Sequence, residues 1–241
     1  MSKENRVIHI PFRAGTLHIV QADEDWTGLP EASGKGCIVV RTSPEDTKRS
    51  SALLSRGFVF HERLLRAEIH SGRQQPEAGF PALPKGVDIA AFQELTEEMY
   101  ALGCSAFSHD RRFHLEHDFN PALAAEVLRG YFNRFSGQEG VLSFQARAGE
   151  KLLGFTVVVP DSEKPDSFEN VLGATLPGIQ GKMAAYPMYT FMLREMLRKG
   201  RAHYVGYVSA ANLASLNLHV QLGAKWSGVF DEYILRTGET V

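Results

Sequence analysis

The stretch from residue 168 to residue 223 constrains the fold most, because it carries the signals of a strand, a loop, a helix, a second strand and a second helix in that order. The first strand is predicted over 171–176, where Gly173 indicates a bulge or a close approach of another part of the chain. Small residues follow at 180–185, directly before a helical apolar stripe. Such a loop exposes backbone N–H groups at the positive end of the helix dipole, so it can hold a pyrophosphate.

The second strand and helix of this stretch have clear end signals. Residues 204–209 read as a strand, Asn212 is suited to cap the helix that follows, and Gly223 is suited to end it after Leu222. On this helix Asn212, Ser215 and His219 are three and four residues apart, so they share one face.

These residues resemble two motifs of the GCN5-related N-acetyltransferases (GNAT). The segment Gln180-Gly181-Lys182 with the small residues after it resembles the acetyl-CoA pyrophosphate loop, Q/R-x-x-G-x-G/A. The helix that begins at Asn212 resembles the later N-x-x-A-x-x-x-Y-x-x-x-G-F/A helix. Met183 and Ala185 stand where the family has its loop glycines, and His219 stands where it has a tyrosine. The resemblance implies an α/β (α+β) fold, with a central mixed, mostly antiparallel sheet flanked by helices.

The resemblance also implies an activity and a set of site residues. The expected reaction is acetyl transfer from acetyl-CoA to the amine of a small molecule, by direct attack on the thioester. His219 would donate a proton to the departing thiolate, and a backbone N–H of residues 173–176 would bind the oxyanion. The residues expected to contact acetyl-CoA are Ala174, Thr175, Leu176, Gln180, Gly181, Lys182, Met183, Ala184, Ala185, Asn212 and Leu216.

A segment rich in histidine, acidic, basic and aromatic residues lies between Cys104 and Phe119. Its histidine spacing matches no zinc motif, so the sequence predicts no metal. An exposed charged loop and part of the acceptor-substrate pocket are both compatible with it. With the helix predicted over 122–135, its layout resembles the TDP-fucosamine acetyltransferase branch of the family, which implies a nucleotide-linked amino sugar as the acceptor. The residues expected to contact the acceptor are His109, Arg111, Phe113, Glu169 and Asn170. The candidates to take the amine proton are His109, Asp110, His114, Glu169 and Asn170.

The amino-terminal part repeats the later strand, helix and strand. Val39, Leu53, Gly57 and Phe60 occur in the order of Gly206, His219, Gly223 and Trp226. The first copy has no loop like 180–185, so we expect a partial GNAT-like domain without a cofactor site at 1–70. Closely spaced glycines and prolines predict a linker at 71–87, which leaves an acetyl-CoA-binding domain at 88–241.

Further elements are predicted from periodicity. These are two short strands within 6–22, a buried strand at 37–40, a helix ending at 56, one or two strands within 58–69, a helix from 88 to 103, a hairpin of 141–147 with 152–159, and closing strands at 225–228 and 230–235.

Composition excludes several classes of protein. The 241 residues are 44% hydrophobic, which suits one large domain or two small ones. The net charge of −2 and the lack of a basic run argue against a nucleic-acid partner. No apolar run suggests a signal peptide or a membrane span, so we expect a cytoplasmic protein that does not associate with membranes. Cys37 and Cys104 are expected to be reduced.

Two alternatives follow from the departures at Met183 and His219. One is a non-catalytic acyl-CoA-binding module. The other is a transferase with a longer acyl donor, because Met183 and Met188 could line a wider channel. The sequence leaves monomer and homodimer equally open.

Overall fold

A computed structural model describes residues 6–12, 15–21, 36–70, 83–106, 126, 129–131, 133–135, 138–161, 164, 166–179 and 184–237. Contacts divide the chain into two units. The first takes the described residues of 1–65, 110–134 and 229–241, and the second takes those of 66–109 and 135–228. This division differs from the sequential boundaries predicted above, because the last strand pairs with a strand of the amino-terminal part.

The first unit is built on paired strands with one helix. Its strands β1 and β2 form an antiparallel pair, β2 pairs in parallel with β3, and β3 pairs antiparallel with β10. Ile38 and Val40 of β3 pack with Leu53, Phe58 and Tyr233 in its core. The elements are β1 (Arg6–Phe12), β2 (Gly15–Gln21), β3 (Gly36–Thr42), α1 (Thr47–Ser55), the first part of β4 (Val59–His70) and most of β10 (Lys225–Thr237).

The second unit contains the end of β4, the start of β10 and five whole strands in the order β9-β8-β7-β6-β5. The five whole strands pair antiparallel except β8 and β9, which run parallel. The elements are β5 (Asp88–Ala91), α2 (Glu97–Ala106), β6 (Leu142–Ala148), β7 (Lys151–Pro160), β8 (Ser167–Thr175), α3 (Ala185–Arg198), β9 (His203–Ser209) and α4 (Leu213–Gln221). The predicted mixed, mostly antiparallel sheet with flanking helices is therefore confirmed.

The core of the second unit lies between the sheet and helix α3. The predicted stripe Met188, Met192 and Met196 is buried there with Phe168 of β8 and Tyr204 of β9. Met188 is 0% exposed, so it contributes to the core rather than to the wall of an open channel. Among the described residues, no helix is both long and apolar enough to span a membrane.

The two copies of the predicted repeat share their local geometry. In α1 the carboxylate of Asp46 accepts from the N–H of Arg49, and in α4 the amide oxygen of Asn212 accepts from the N–H of Ser215. Each helix has nine residues and is followed by a glycine at positive φ, Gly57 at 86° and Gly223 at 75°. Only a glycine adopts this conformation without strain, which is why both helices end there.

Two predicted elements are wrong. Residues 88–91 form strand β5, which pairs with β6, and helix α2 begins only at Glu97. Thr96 caps this helix, since its hydroxyl accepts from the N–H of Met99, and the helix continues through the buried Gly103. The two closing strands are the single strand β10, because Gly228 and Val229 do not interrupt it.

The other predicted elements agree with the structure. The short amino-terminal strands, the buried strand at 37–40, the helix ending at 56, the hairpin of β6 and β7 and the single strand β4 all occur. Of the helix predicted over 122–135, residues 126, 129–131 and 133 are described and helical.

Candidate functional site

Strands β8 and β9 pair with each other along only the first half of their length. Their parallel pairing extends from Ser167 opposite His203 to Asn170 opposite Gly206. Strand β8 nevertheless continues to Thr175 and β9 to Ser209. Beyond Asn170 and Gly206, the facing edges of β8 and β9 therefore do not pair with each other.

The edge of β8 at this gap carries backbone groups that point toward β9. The N–H of Leu176 donates to the carbonyl oxygen of Leu153 on β7 at 2.8 Å. Because successive residues of a strand direct their backbone groups to opposite edges, the N–H groups of Gly173 and Thr175 face away from β7. Such groups are suited to bind a ligand that enters between the strands.

A β-bulge precedes these residues. The register with β7 shifts so that Val157 lies opposite Leu172 and Val158 lies opposite Asn170, which makes Val171 the extra residue. Of the two alternatives that the sequence indicated for Gly173, the structure supports the close approach, since the bulge lies at Val171. A Cβ at Gly173 would lie 2.6 Å from the hydroxyl oxygen of Tyr189. The bulge bends β8 at the point where it leaves β9.

A polar network lines this face of the sheet. The Asn170 amide donates to Oγ1 of Thr156 at 3.0 Å and to the hydroxyl of Tyr189 at 3.2 Å. Thr156 in turn donates to the carbonyl oxygen of Leu172 at 3.3 Å. Burial raises the pKa of Tyr189, and the hydrogen bonds with Thr156 and Asn170 oppose this only partly. The Tyr189 phenol is therefore neutral near pH 7.

The start of helix α3 borders the predicted phosphate loop. Ala184 is the residue at the N-cap and has no side-chain oxygen for the first-turn N–H groups. Pro187 lies in that first turn, where its missing N–H has no helical partner. Gln180, Gly181, Lys182 and Met183 lie outside the described residues, whereas Ala184 and Ala185 are described and buried.

Helix α4 brings His219 against β9. The Nε2 atom of His219 lies 2.9 Å from the hydroxyl oxygen of Tyr204, and Nδ1 lies 2.8 Å from the carbonyl oxygen of Ser215. A carbonyl only accepts, so Nδ1 carries the ring proton and Nε2 accepts from the Tyr204 hydroxyl. His219 is 2% exposed.

The electrostatics of this pair favour neutral groups. Burial lowers the pKa of His219, and the hydrogen bond to the Ser215 backbone opposes this effect only in part. Burial raises the pKa of Tyr204 well above its ordinary value, and the nearby Tyr189 adds a smaller increase. Near pH 7 the pair is therefore a neutral phenol donating to a neutral imidazole.

The structure brings some of the predicted site residues together and separates others. Ala174 and Thr175 end β8 beside the gap and Leu176 follows them, whereas Asn212 caps α4 and Leu216 lies on it. Glu169 and Asn170 are neighbours on one strand and so project to opposite faces of the sheet. His109, Asp110, Arg111, Phe113 and His114 lie outside the described residues.

Three polar residues of the network were missed from sequence. Thr156, Tyr189 and Tyr204 sit within apolar runs, where the sequence pattern indicates only core. The available signal is chemical, because a buried hydroxyl requires a hydrogen-bond partner. Only the fold shows that their partners gather at the divergence of β8 and β9.

Comparison with known proteins gives fold neighbours only. No protein-family model matches the chain, and no curated protein matches its sequence. Among solved structures, a tandem GNAT protein from the clavulanic acid biosynthesis pathway is 14% identical, with a TM-score of 0.57 over 86% of this chain. The match spans 65% of that protein's length.

Two further structures match over nearly the whole chain. A GCN5-related N-acetyltransferase from Kribbella flavida is 11% identical with a TM-score of 0.59, covering 98% of this chain and 90% of its own. The GCN5-related N-acetyltransferase from Sphaerobacter thermophilus is 12% identical with a TM-score of 0.58, covering 98% and 76% respectively. The fold of this chain is therefore that of the GCN5-related N-acetyltransferases.

Proposed function

We propose that the protein is an acetyl-CoA-dependent N-acetyltransferase that acts on the amine of a small molecule. The observation that carries the proposal is the divergence of β8 and β9 beyond Asn170 and Gly206. It opens a gap in the sheet beside the N–H groups of Gly173 and Thr175, in the fold of the acetyltransferases.

The gap suits a thioester and the intermediate derived from it. A neutral amine nitrogen attacks the thioester carbonyl carbon, so the C–N bond forms and the carbonyl oxygen becomes an oxyanion. An N–H of Gly173 or Thr175 donates to that oxygen where the negative charge develops. The intermediate then collapses, the C–S bond breaks, the nitrogen loses a proton and the thiolate takes one up.

The pyrophosphate of acetyl-CoA is proposed to bind residues 180–185. Ala184 lacks a capping side chain, so the first turn of α3 offers its N–H groups and the positive end of the helix dipole to an anion. The contacts proposed for Asn212 and Leu216 lie on α4, the helix that follows the second strand of the gap.

His219 is the proposed proton donor for the thiolate. In the neutral ring Nε2 holds no proton and accepts from the Tyr204 hydroxyl, so donation from Nε2 requires the imidazolium. The lowered pKa of His219 confines that form to acidic pH. If solvent protonates the thiolate instead, His219 serves only to position Tyr204.

The acceptor is proposed to be a nucleotide-linked amino sugar, on the resemblance of residues 104–119 to the TDP-fucosamine acetyltransferase branch. Glu169 and Asn170, with His109, Arg111 and Phe113, are the residues proposed to meet it. The partial first copy is proposed to bind no second acetyl-CoA, so one site per chain is expected.

Titration calorimetry with acetyl-CoA tests the binding step. We expect the titration to give one site per chain. In unfolding experiments, acetyl-CoA at about 100 times its dissociation constant should raise the free energy of unfolding by roughly 2.7 kcal/mol. Gly181→Val should remove this gain by blocking the approach of the phosphates, whereas Ala148→Val, at the exposed end of β6, should keep it.

A thiol-release assay with amino-sugar nucleotides tests turnover. Release of free CoA that depends on the acceptor supports the transferase. Tight binding of acetyl-CoA without release for any amine would identify the non-catalytic module, and the absence of any binding would exclude both.

A further inference from the structure

Three side chains that the proposed reaction does not use meet at the far end of the second unit. Glu68 and His70 lie at the end of β4, and His203 is the first residue of β9. One ligand atom from each lies within 4.8 Å of the others. Glu68 and His70 are two residues apart on a strand, which puts their side chains on the same face.

This cluster lies on the face of the sheet opposite to Asn170 and His219, whose partners Tyr189 and Tyr204 lie in the core. Ile69 and Tyr204, the neighbours of these residues in sequence, are buried in the core against α3. Because side chains alternate along a strand, Glu68, His70 and His203 project away from that core. The cluster is therefore separate from the gap between β8 and β9.

His203 is held in a specific orientation. Its Nδ1 atom lies 3.0 Å from Oγ of Ser167, a fully buried hydroxyl on the paired strand β8. Its Nε2 atom is buried, has no hydrogen bond and lies 3.4 Å from Oε2 of Glu68. The residue is 7% exposed. When Nδ1 donates to Ser167, a lone pair on Nε2 is directed at a carboxylate, an arrangement that a cation would stabilise.

We propose that Glu68, His70 and His203 form a Zn²⁺ site, with Ser167 as the residue that orients His203. The ligand atoms are Oε2 of Glu68 and Nε2 of each histidine. Two imidazoles and one carboxylate are a donor set that zinc accepts, with a further position open to water. An oriented histidine whose other nitrogen is hydrogen-bonded is the usual arrangement behind a metal ligand.

The distances suit a zinc ion. With metal–ligand bonds of about 2.0–2.1 Å, two ligands of a tetrahedral ion lie roughly 3.3 Å apart. Oε2 of Glu68 is 3.4 Å from Nε2 of His203 and 3.6 Å from Nε2 of His70. The two imidazole rings are stacked, with centroids 4.3 Å apart, so one must turn for both lone pairs to reach one ion. His70 has the room to do so, because its side chain is 46% exposed.

Neighbouring groups affect the pKa values of both Glu68 and His203. Arg66 lies 3.1 Å from the other carboxylate oxygen, Oε1, and thus leaves Oε2 to the histidines. Burial lowers the pKa of His203, and His70 and Lys164 lower it further against the opposing effect of Glu68. Burial would raise the pKa of Glu68, but Ser227, Arg66 and His203 together lower it. Near pH 7 both groups are thus in the states that bind a metal.

Calorimetric titration of the chelator-treated full chain with ZnCl₂ at pH 7.5 tests the site. We expect one Zn²⁺ per chain and a higher Tm with zinc. His70→Gln should weaken binding by more than about 100-fold, because loss of a group behind a ligand already costs 10–100-fold. Ser167→Ala should weaken it by about 10–100-fold while keeping all three ligands. Co²⁺ in place of Zn²⁺ should give the visible absorption of a four-coordinate ion, lost in His70→Gln.

The control variant is His114→Gln, from the histidine-rich segment that the sequence analysis considered for a metal. It should bind Zn²⁺ like the unmodified protein. His70→Gln should match the unmodified protein in Tm when EDTA is present, since the exposed ring supports little of the fold. An unmodified protein that takes up no zinc would overturn the proposal, as would undiminished binding in His70→Gln or binding lost in His114→Gln alone.

Discussion

The hydroxyl oxygen of Tyr204 lies 2.9 Å from Nε2 of His219, and this contact joins β9 to α4 within the core of the second unit. The first copy of the repeat has Leu53 at the position of His219, and Leu53 is likewise fully buried. The same helix position thus packs against the core in both copies. In the second copy it also carries a hydrogen-bonding group toward the tyrosine.

Burial of neutral His219 makes stability depend on pH. Its pKa is lowered in the folded protein, so below its ordinary value of 6.5 the unfolded chain binds more protons than the folded one. Stability is therefore expected to be highest above pH 6.5 and to fall as the pH drops through the lowered pKa. His219→Gln, which keeps an acceptor for Tyr204, should show a smaller loss between pH 7.5 and 5 in urea unfolding. His203, whose pKa is also lowered, contributes equally in both proteins.

The catalytic role of His219 is tested by activity at several pH values. If the imidazolium donates to the thiolate, kcat should fall as the pH rises through the lowered pKa of His219, and His219→Ala should lower kcat by about 10² to 10⁴. Tyr204→Phe should then lower kcat as well, because a proton that leaves Nε2 passes first to the Tyr204 hydroxyl. A variant that keeps full kcat but melts at a lower temperature would instead make His219 a core residue.

The close approach of β8 to α3 predicts a coupled pair of substitutions. Gly173→Ala places a Cβ 2.6 Å from the Tyr189 hydroxyl, so it should destabilise the protein by about 1–3 kcal/mol. Tyr189→Phe removes that oxygen, and Gly173→Ala should cost clearly less in this background. A double-mutant cycle in urea unfolding measures the difference. Additive effects of the two changes would contradict the contact.

Periodicity and cap signals predicted most of the strand and helix order, because these signals are local. Asn212 begins its helix with a capping hydrogen bond, and Gly223 ends it with a positive φ. Both roles can be recognised from the residue type. The helix expected from Asp88 failed for the opposite reason, since a short edge strand is defined by its partner β6. An apolar stripe starting there fits helix and strand alike, and Thr96 was the overlooked cap.

The candidate site was predictable only in part. The strand and the helices that border the gap follow from the sequence, but the end of pairing at Asn170 and Gly206 depends on long-range geometry. The same holds for Glu68 and His203, which are separated widely in sequence and meet only when β4 and β9 become neighbours. No spacing rule relates such residues.

Asn212 combines two predicted roles that substitution can separate. Asn212→Ala removes the acceptor for the Ser215 N–H and should cost about 1 kcal/mol of stability, whereas Asn212→Asp should keep the cap. If Asn212 also contacts acetyl-CoA, both variants should bind it more weakly, as measured by calorimetry. Normal affinity in Asn212→Asp would limit the residue to capping.

The first unit contains a buried ion pair whose loss should be costly. Nε of Arg41 donates to Oε2 of Glu232 at 2.9 Å, and the Glu232 side chain is 0% exposed. Arg41→Ala leaves the buried Glu232 carboxylate without this guanidinium and without access to water. We therefore expect the free energy of unfolding, measured in urea, to fall by about 3–5 kcal/mol. The matched control is Arg63→Ala, which breaks the pair with the adjacent Asp231. Because the Arg63 side chain is half exposed, water replaces part of that interaction and the loss should be smaller. Equal losses in the two variants would show that burial of Glu232 does not govern the energetics of its pair.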